Sequence, residues 1–315
     1  QGEYSQLWAE AVASTRFPPK ARGRRSPAQE KTQEEKNAER AGKLAQEGQY
    51  SRSLQALNSS GLANADAATE AQMRAKHPQG TGQDPTFQPD PALATAQVSF
   101  KAPEVLKAAL SFRRGSAPRP SGLRPEHLRA ALKGSPDRVD KALASLTKVV
   151  NLMAAGRVPE SVTPFLCGAR LHAARKKDGG IRPIAVGNIL RRLVSKLVSY
   201  ELAFKASKKL APHQLGVGVR GGCEAIIHTV RKIVEEAGPE TSVLQADLVN
   251  AFNLADRQTS FREVEKTLPE CLQWVLTSYS QPSELLFGDK VIPSSIGFHQ
   301  GDPLASLLFS LVLQP

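Results

Sequence analysis

The chain has 315 residues, 40% of them hydrophobic, which is enough to build the core of one large domain or two ordinary ones. Its longest apolar stretch, residues 304–313, is far shorter than the roughly 18–20 residues of a membrane span, and no signal peptide is recognisable. The three cysteines are odd in number and lack C-x-x-C spacing, which favours thiols of a reducing compartment over disulfides or zinc ligands.

The net charge of +12 is concentrated in the middle of the chain. Residues 101–200 contain 20 Lys and Arg against 6 Asp and Glu, whereas residues 201–315 contain 10 against 13. A basic block predicts phosphate-bearing partners, because cations that neutralise phosphates release counterions. A solvated basic face without a ligand explains the same charge, so charge alone leaves both possibilities open.

The first third of the chain predicts little regular structure beyond short helices. Residues 1–30 are rich in Arg, Pro and Ser, which is typical of a disordered basic segment. Residues 31–99 predict a helical N-terminal region whose helices end at Gly48, Gly61 and Pro78, followed by a Pro- and Gly-containing linker.

Residues 100–240 predict amphipathic helices around a basic hairpin. Pro103 and Pro125 suit first-turn positions of helices. Residues 165–186 predict two strands joined by a Lys-Asp-Gly-Gly turn. Asn188 is expected to cap a long helix, and a further helix follows the paired glycines near residue 221.

Residues 241–315 mix strands and helices. They predict a strand over 242–248, two helices, a hairpin around 287–290 and a last helix that Asp302 can cap. Helices that alternate with a few separated strands predict an α+β fold.

Asp247 ends an apolar run, and Phe252 follows it five residues later. A lone carboxylate near a core is costly to bury unless it is paired or holds a metal. Asp256 and Phe261 repeat the same spacing, although Asp256 opens a helical segment rather than following a strand-like run. The spacing alone therefore favours an aspartate that caps a turn at the end of a strand.

The order of four segments is more specific than any one of them. The segments are "ARKKDGGIRPI", "GVRGGCEAIIHTVR", "LQADLVNAF" and "GFHQGDPLASLLF". This series resembles the reverse transcriptases of non-LTR retrotransposons and their relatives, clearly over residues 165–315 and more weakly over 100–164. In the weaker part, Arg119 and Ser121 replace the Gly and Asp that are usual in the family's Pro-Gly-Pro-Asp-Gly block.

The resemblance implies an RNA-directed DNA polymerase of right-hand architecture. Residues 100–240 would form the fingers-like region and residues 241–315 part of a split β-α-β palm, with the thumb absent. Nucleotide addition is an in-line phosphoryl transfer, assisted in this family by two Mg²⁺ ions. The implied partners are an RNA template, a DNA primer or RNA–DNA hybrid, and deoxynucleoside triphosphates, with no membrane and a nuclear or cytoplasmic location.

The resemblance also assigns roles in the palm. Asp247 matches the first metal-binding aspartate, and the carbonyl of Leu248 matches the backbone ligand. Phe252 would lie beneath the sugar and exclude a ribose 2′-hydroxyl, although core packing is the commoner fate of a phenylalanine. A side chain of Asp247 that points into bulk solvent, away from Arg182 and Gln300, would contradict the assignment.

Two further segments match nucleotide contacts in the family. Arg182 would grip the triphosphate, since a guanidinium binds phosphate oxygens with a fixed fork. Lys176 and Lys177, at the hairpin tip, are either further phosphate contacts or simply part of a soluble turn.

Gln300 and Gly301 match the loop that lies against the nucleotide and the template. Glycine permits close backbone approach, and glutamine offers both a donor and an acceptor. His299 adjoins this loop and is expected to be a spectator.

The family's next block is Tyr-x-Asp-Asp, and no Asp-Asp pair occurs in these 315 residues. The resemblance therefore implies a domain truncated before that block, which does not polymerise by itself. We also expect the last helix and the strand before Asp247 to expose apolar surface. The alternatives are a non-catalytic nucleic-acid-binding remnant of a decayed retroelement, or an unrelated helical protein with chance motifs.

Overall fold

The computed structural model describes residues 31–80, 87–93, 96–112, 122–238 and 240–314, and within them the fold is α+β, as predicted. Two 3-10 turns occur at Pro91–Leu93 and Pro269–Cys271. The α-helices are, in chain order, α1 (Gln33–Gln46), α2 (Tyr50–Leu57), α3 (Ala67–Ala75), α4 (Ala102–Leu110), α5 (Pro125–Ala131), α6 (Pro136–Ala154), α7 (Thr163–Cys167), α8 (Ile189–Leu210), α9 (Gly222–Glu236), α10 (Ala251–Leu254), α11 (Arg257–Thr267), α12 (Leu272–Tyr279) and α13 (Ala305–Leu313).

Four strands form a mixed sheet with the order β2-β1-β3-β4. β1 runs parallel to β3, with Ala169 opposite Leu285, and β3 and β4 form an antiparallel hairpin. That hairpin confirms the prediction around residues 287–290. The strands are β1 (Ala169–Arg175), β2 (Ile181–Gly187), β3 (Ser283–Phe287) and β4 (Lys290–Ser294).

The chain divides into two compact units, and the described part of the first consists of residues 31–64 and 173–182. Its helices α1 and α2 are joined by the amide of Asn37, which donates to the carbonyls of Leu57 (3.3 Å) and Ser59 (2.7 Å). The backbone N–H of Ala63 donates to the carbonyl of residue 173 (2.8 Å), so the chain after α2 pairs with β1. The predicted disordered segment 1–30 lies outside the described residues.

The second unit comprises residues 65–172 and 183–315. Its core surrounds α8, which buries ten residues, and α12, whose Trp274 is fully buried. The indole N–H of Trp274 donates to the hydroxyl of Ser195 on α8 (3.2 Å), so the largest core side chain also has its polar atom satisfied. Among the described residues, no helix is both long and apolar enough to cross a membrane.

Most predicted helix starts are confirmed. The side chain of Asn188 accepts from the backbone N–H of residue 190 (2.9 Å) at the start of α8, and Asp256 caps α11 through Thr259 (2.6 Å). Pro103 and Pro125 both lie in the first turns of their helices. These caps depend only on neighbouring residues, which is why the sequence predicts them well.

Two local predictions are wrong. Residues 165–167 belong to α7 rather than to a strand, because Pro164 occupies the first turn of a short helix before β1 begins. Residues 242–248 form no strand and are exposed throughout. A strand needs a backbone partner, and none of the described residues supplies one to this segment.

The prediction of exposed apolar surface is half confirmed. Leu244, before Asp247, is 93% exposed, and Val243 is also exposed. The last helix, by contrast, buries Leu307, Leu308 and Leu311. α13 has partners within the chain, since it packs against α11 and α8.

Candidate nucleic-acid and nucleotide site

The tip of the β1–β2 hairpin presents cations to solvent. The backbone N–H of Lys176 donates to the carbonyl of Gly180 (2.8 Å), and Gly179 has a φ of 81°, which closes a tight turn. Lys176 and Lys177 are both exposed, and the Nζ of Lys176 lies 3.8 Å from a carboxylate oxygen of Asp178. The turn is therefore confirmed, and the phosphate-binding role of the two lysines stays a prediction.

Arg182 also points into solvent, because its position in β2 alternates with buried neighbours. Ile181 and Pro183 are buried, whereas Arg182 is exposed. A charged side chain on the outer face of a strand costs nothing to hold in water, so Arg182 is available to an anionic partner.

The loop at Gln300 and Gly301 lies directly against β2. The carbonyl of Gln300 accepts from the backbone N–H of Ala185 (2.9 Å). Gly301 has a φ of +129°, and a Cβ at this position would lie 2.6 Å from the carbonyl oxygen of Ala185. Only glycine fits such a conformation and such a close approach without strain. The resemblance assigned both residues to one loop, and the structure shows what requires the glycine.

A buried polar network holds this loop in place. Arg191 of α8 donates from Nη2 to Oδ2 of Asp302 (3.0 Å), and the phenol of Tyr279 donates to the same oxygen (2.8 Å). Oδ1 of Asp302 accepts from the backbone N–H of Leu304 (3.0 Å) in the turn before α13. The N-cap of α13 is Leu304, so the prediction that Asp302 caps this helix is wrong. The side chains of Arg191 and Asp302 are 1% and 5% exposed, so their ion pair is screened very little by solvent.

His299 completes the network as a neutral imidazole. Its Nδ1 lies 3.0 Å from Nη1 of Arg191, which can only donate, so Nε2 carries the proton and donates to the hydroxyl of Ser283 (3.0 Å). Burial, followed by the charges of Arg191 and Arg257, lowers the pKa of His299 well below its ordinary value. The imidazole is buried, and its two hydrogen bonds connect the loop to Arg191 and Ser283.

Arg257 is a second buried cation, and it binds backbone rather than a carboxylate. It donates to the carbonyls of Gly297 (2.9 Å), Tyr279 (3.0 Å) and Ser294 (3.1 Å). Burial lowers its pKa to about 10, so the guanidinium stays charged at neutral pH. These bonds connect the end of β4 with the chain before His299.

The sequence did not predict that Arg191, Tyr279 and Arg257 form the buried hydrogen-bond network. One sequence feature could have indicated that Arg191 is buried. It lies in a helix between the apolar residues 189–190 and 193–194, which face the core. A buried arginine requires a buried acceptor. Nothing in the sequence identifies Asp302 as that acceptor, because more than a hundred residues separate the two.

Asp247 and Leu248 lie in the exposed segment 241–249. A carboxylate in solvent has no burial cost for a metal to offset, so the burial argument for a ligand at Asp247 is lost, and its exposure is one half of the arrangement expected to contradict the assignment. Among the described residues, no group of three or more His, Cys, Asp or Glu side chains could hold a metal ion. The roles of Asp247 and Leu248 in a two-ion Mg²⁺ site stay predictions.

Phe252 is half-buried on the short helix α10. Its ring stacks on that of Phe309 in α13, with centroids 5.0 Å apart, and its carbonyl accepts from the backbone N–H of Phe298 (2.6 Å). Core packing was the alternative that the sequence left open for Phe252, and the structure shows such packing. Its predicted contact with a sugar stays a prediction.

The turn between Asp247 and Phe252 is anchored by asparagines. Asn250 has a φ of 57°, and its amide donates to the carbonyl of Lys76 (2.9 Å), as does the amide of Asn253 (2.9 Å). Asparagine tolerates this left-handed conformation better than most residues do. The turn at Asn250 and the helix α10 thus begin after Asp247.

Comparisons with known proteins add no family assignment. No protein-family model matches the chain, and no curated protein matches it significantly.

Proposed function

We propose that the chain is part of an RNA-directed DNA polymerase of the non-LTR retrotransposon type, in which it binds nucleic acid and the incoming nucleotide. The observation that carries this proposal is the contact of the loop at Gln300 and Gly301 with Ala185 of β2. The fourth segment of the resemblance thus meets β2 at the residue that directly follows the first segment, although the two are far apart in the sequence. The α+β fold and the order of the segments are compatible with fingers and part of a palm.

Binding would depend mainly on charge. Lys176, Lys177 and Arg182 are exposed, and the middle third of the chain carries a large excess of cations. Neutralisation of phosphates dominates affinity in such complexes and makes it fall with salt. We expect RNA and RNA–DNA hybrids to be preferred by shape rather than by sequence, because A-form grooves hide most base edges from side chains.

A salt titration tests this part of the proposal. Replacement of Lys176, Lys177 and Arg182 by Ala should reduce the slope of log K against log salt by roughly 2 to 3, at about 0.7–0.9 for each phosphate contact. A matched control removes two lysines and one arginine from α1, namely Lys36, Arg40 and Lys43, which are also exposed. An equal loss of slope in both triple variants, or no loss in the first, would remove the hairpin from the binding surface.

Catalysis is a separate question. The sequence has no Asp-Asp pair, and the described carboxylates form no metal-binding group. We therefore expect no steady primer extension by the 315-residue chain. Extension of a primer on an RNA template by this chain would contradict that expectation.

A non-catalytic nucleic-acid-binding remnant is the second candidate, and the exposed position of Asp247 favours it. The two candidates differ in a chain lengthened by the reading frame downstream of residue 315. An enzyme should gain primer extension in that chain and lose it in Asp247→Asn. Asp256→Asn, which alters the second Asp-x4-Phe match, should keep the activity. No activity in the lengthened chain favours the remnant.

A further inference from the structure

Helix α8 carries a row of three cationic and two aromatic side chains at every fourth position, here called the α8 row. Adjacent members are just over one turn apart, so the row winds obliquely around the helix. Its first two members are half-buried, and its last three are exposed. The members are Arg192, Lys196, Tyr200, Phe204 and Lys208. The helix contains six basic residues and one acidic residue, so the row lies in a strongly positive setting.

The two rings of the row lie largely in water. Tyr200 is 63% exposed and Phe204 is 69% exposed, although most large apolar side chains of this unit are buried. The ammonium of Lys196 lies 5.6 Å from the ring centroid of Tyr200, and that of Lys208 lies 4.3 Å from the centroid of Phe204. Each ring therefore has a cation beside it and still keeps most of its surface open.

A shallow groove borders the N-terminal half of the row. It has a volume of about 310 Å³ and lies between α8 and the end of α4, where Phe112 forms its floor. Arg192 and Lys196 lie over the ring of Phe112, at 5.2 and 4.8 Å from its centroid. The Nζ of Lys196 also donates to the hydroxyl of Ser111 (2.7 Å), so the groove holds its cations in place.

We propose that the α8 row is a binding site for single-stranded nucleic acid, with bases stacked on Tyr200 and Phe204 and phosphates held by the neighbouring cations. Exposed aromatic faces beside cations are the combination that binds single strands without sequence preference. A duplex keeps its bases stacked on one another, so it cannot use the rings in this way. The inference rests on the proposed function for the class of partner, and it uses none of the same residues.

The length of the row fits a short single strand. Sixteen residues separate Arg192 from Lys208, which corresponds to about 24 Å along the helix axis. At a stacked rise of about 3.4 Å per nucleotide, about seven nucleotides cover this axial length. A probe of 12 uridines is therefore long enough to cover it.

The test measures the affinity of the 315-residue chain for fluorescein-labelled 12-nucleotide oligouridine by anisotropy between 50 and 200 mM salt. Tyr200→Ala and Phe204→Ala should each weaken binding roughly 5- to 100-fold, with the salt slope unchanged, because a stacked base contributes about 1–3 kcal/mol. Tyr200→Phe and Phe204→Tyr should bind like the wild type. Lys208→Gln should reduce the salt slope by about 0.7.

Phe165→Ala is the matched control, since Phe165 is 71% exposed and lies outside the row. It should leave affinity unchanged. An oligomer of the same length without bases should bind the wild type more weakly than oligouridine does. It should bind Phe204→Ala as tightly as it binds the wild type. Thermal unfolding should be unaltered in all these variants, because the substituted side chains are exposed.

Three results would overturn the inference. The first is wild-type affinity for oligouridine in the double variant Tyr200→Ala, Phe204→Ala. The second is an equal loss of affinity for the oligomer without bases. The third is a loss of self-association in sedimentation without a loss of oligouridine affinity, which would make the row a protein contact. If only the hairpin triple variant of Lys176, Lys177 and Arg182 weakens RNA binding, the proposed function stands and this inference fails.

Discussion

Two regions of the second unit contain an aspartate beside an apolar run, and they have opposite fates. Asp302 precedes α13, and its carboxylate is buried between Arg191 and Tyr279. Asp247 follows the apolar run at 243–246, and that whole segment is exposed. The difference is one of partners, because a carboxylate and an apolar run become buried only where other parts of the chain supply acceptors, donors and a packing surface.

The helices of the two regions show the same contrast. α13 buries its leucines against α11 and α8. Gly222 is the only buried residue of α9, although α9 is amphipathic and its exposed apolar side chains Ile226, Val230 and Ile233 follow one another at intervals of four and three residues along one face. An amphipathic pattern therefore shows which face would be buried, and the fold decides whether anything covers it.

The largest expected effect comes from breaking the buried ion pair. Asp302→Ala should lower the free energy of unfolding by about 3–5 kcal/mol, because Arg191 would stay buried without its counter-charge. The matched substitution Asp247→Ala should change it by no more than about 0.5 kcal/mol, since that side chain is exposed. Urea unfolding followed by tryptophan fluorescence measures both. Equal destabilisation by the two substitutions would show that Asp247 has a buried partner.

A smaller effect is expected from the glycine that allows the loop to approach β2. Gly301→Ala should cost about 1–3 kcal/mol, because φ is +129° and the new Cβ would lie 2.6 Å from the carbonyl oxygen of Ala185. Gly238→Ala is the control, since its φ is not in the left-handed region and no heavy atom lies within 4 Å of a Cβ there. The same urea titration applies, and a neutral Gly301→Ala would mean that the loop does not lie against β2.

The smallest effect concerns pH. Burial lowers the pKa of His299 and of His77, so the folded state resists protonation that the unfolded state accepts. Stability should therefore be constant above about pH 7 and fall as the pH drops below about 6.5, by at most about 1.4 kcal/mol per pH unit for each group.

Unfolding titrations between pH 7.5 and 5 check this dependence. His299→Gln should lower stability at pH 7.5, because Ser283 and Arg191 lose their partner, and should reduce the slope below pH 6.5. The control is His228→Gln, a substitution at an exposed position, which should not change the free energy of unfolding at pH 7.5. A curve that rises toward low pH would contradict the neutral, buried state of His299.

Local chemistry made part of this fold predictable. Asn188 and Asp256 cap helices, and Pro103 and Pro125 lie in first turns, because each of these features depends on residues a few positions away. The hairpin turns after β1 and β3 were predictable for the same reason. The strand expected at 242–248 was not predictable from its own residues, since a strand exists only when another backbone pairs with it.

The candidate site divides in the same way. The sequence by itself determined the turn at the hairpin tip and the cations that it carries, because turns have specific residue requirements. Only the tertiary structure decided that Arg191 pairs with Asp302, that Asp247 stays in solvent and that Tyr200 and Phe204 remain exposed. Burial and ion pairing depend on contacts between residues far apart in the chain, and a linear pattern does not contain those contacts.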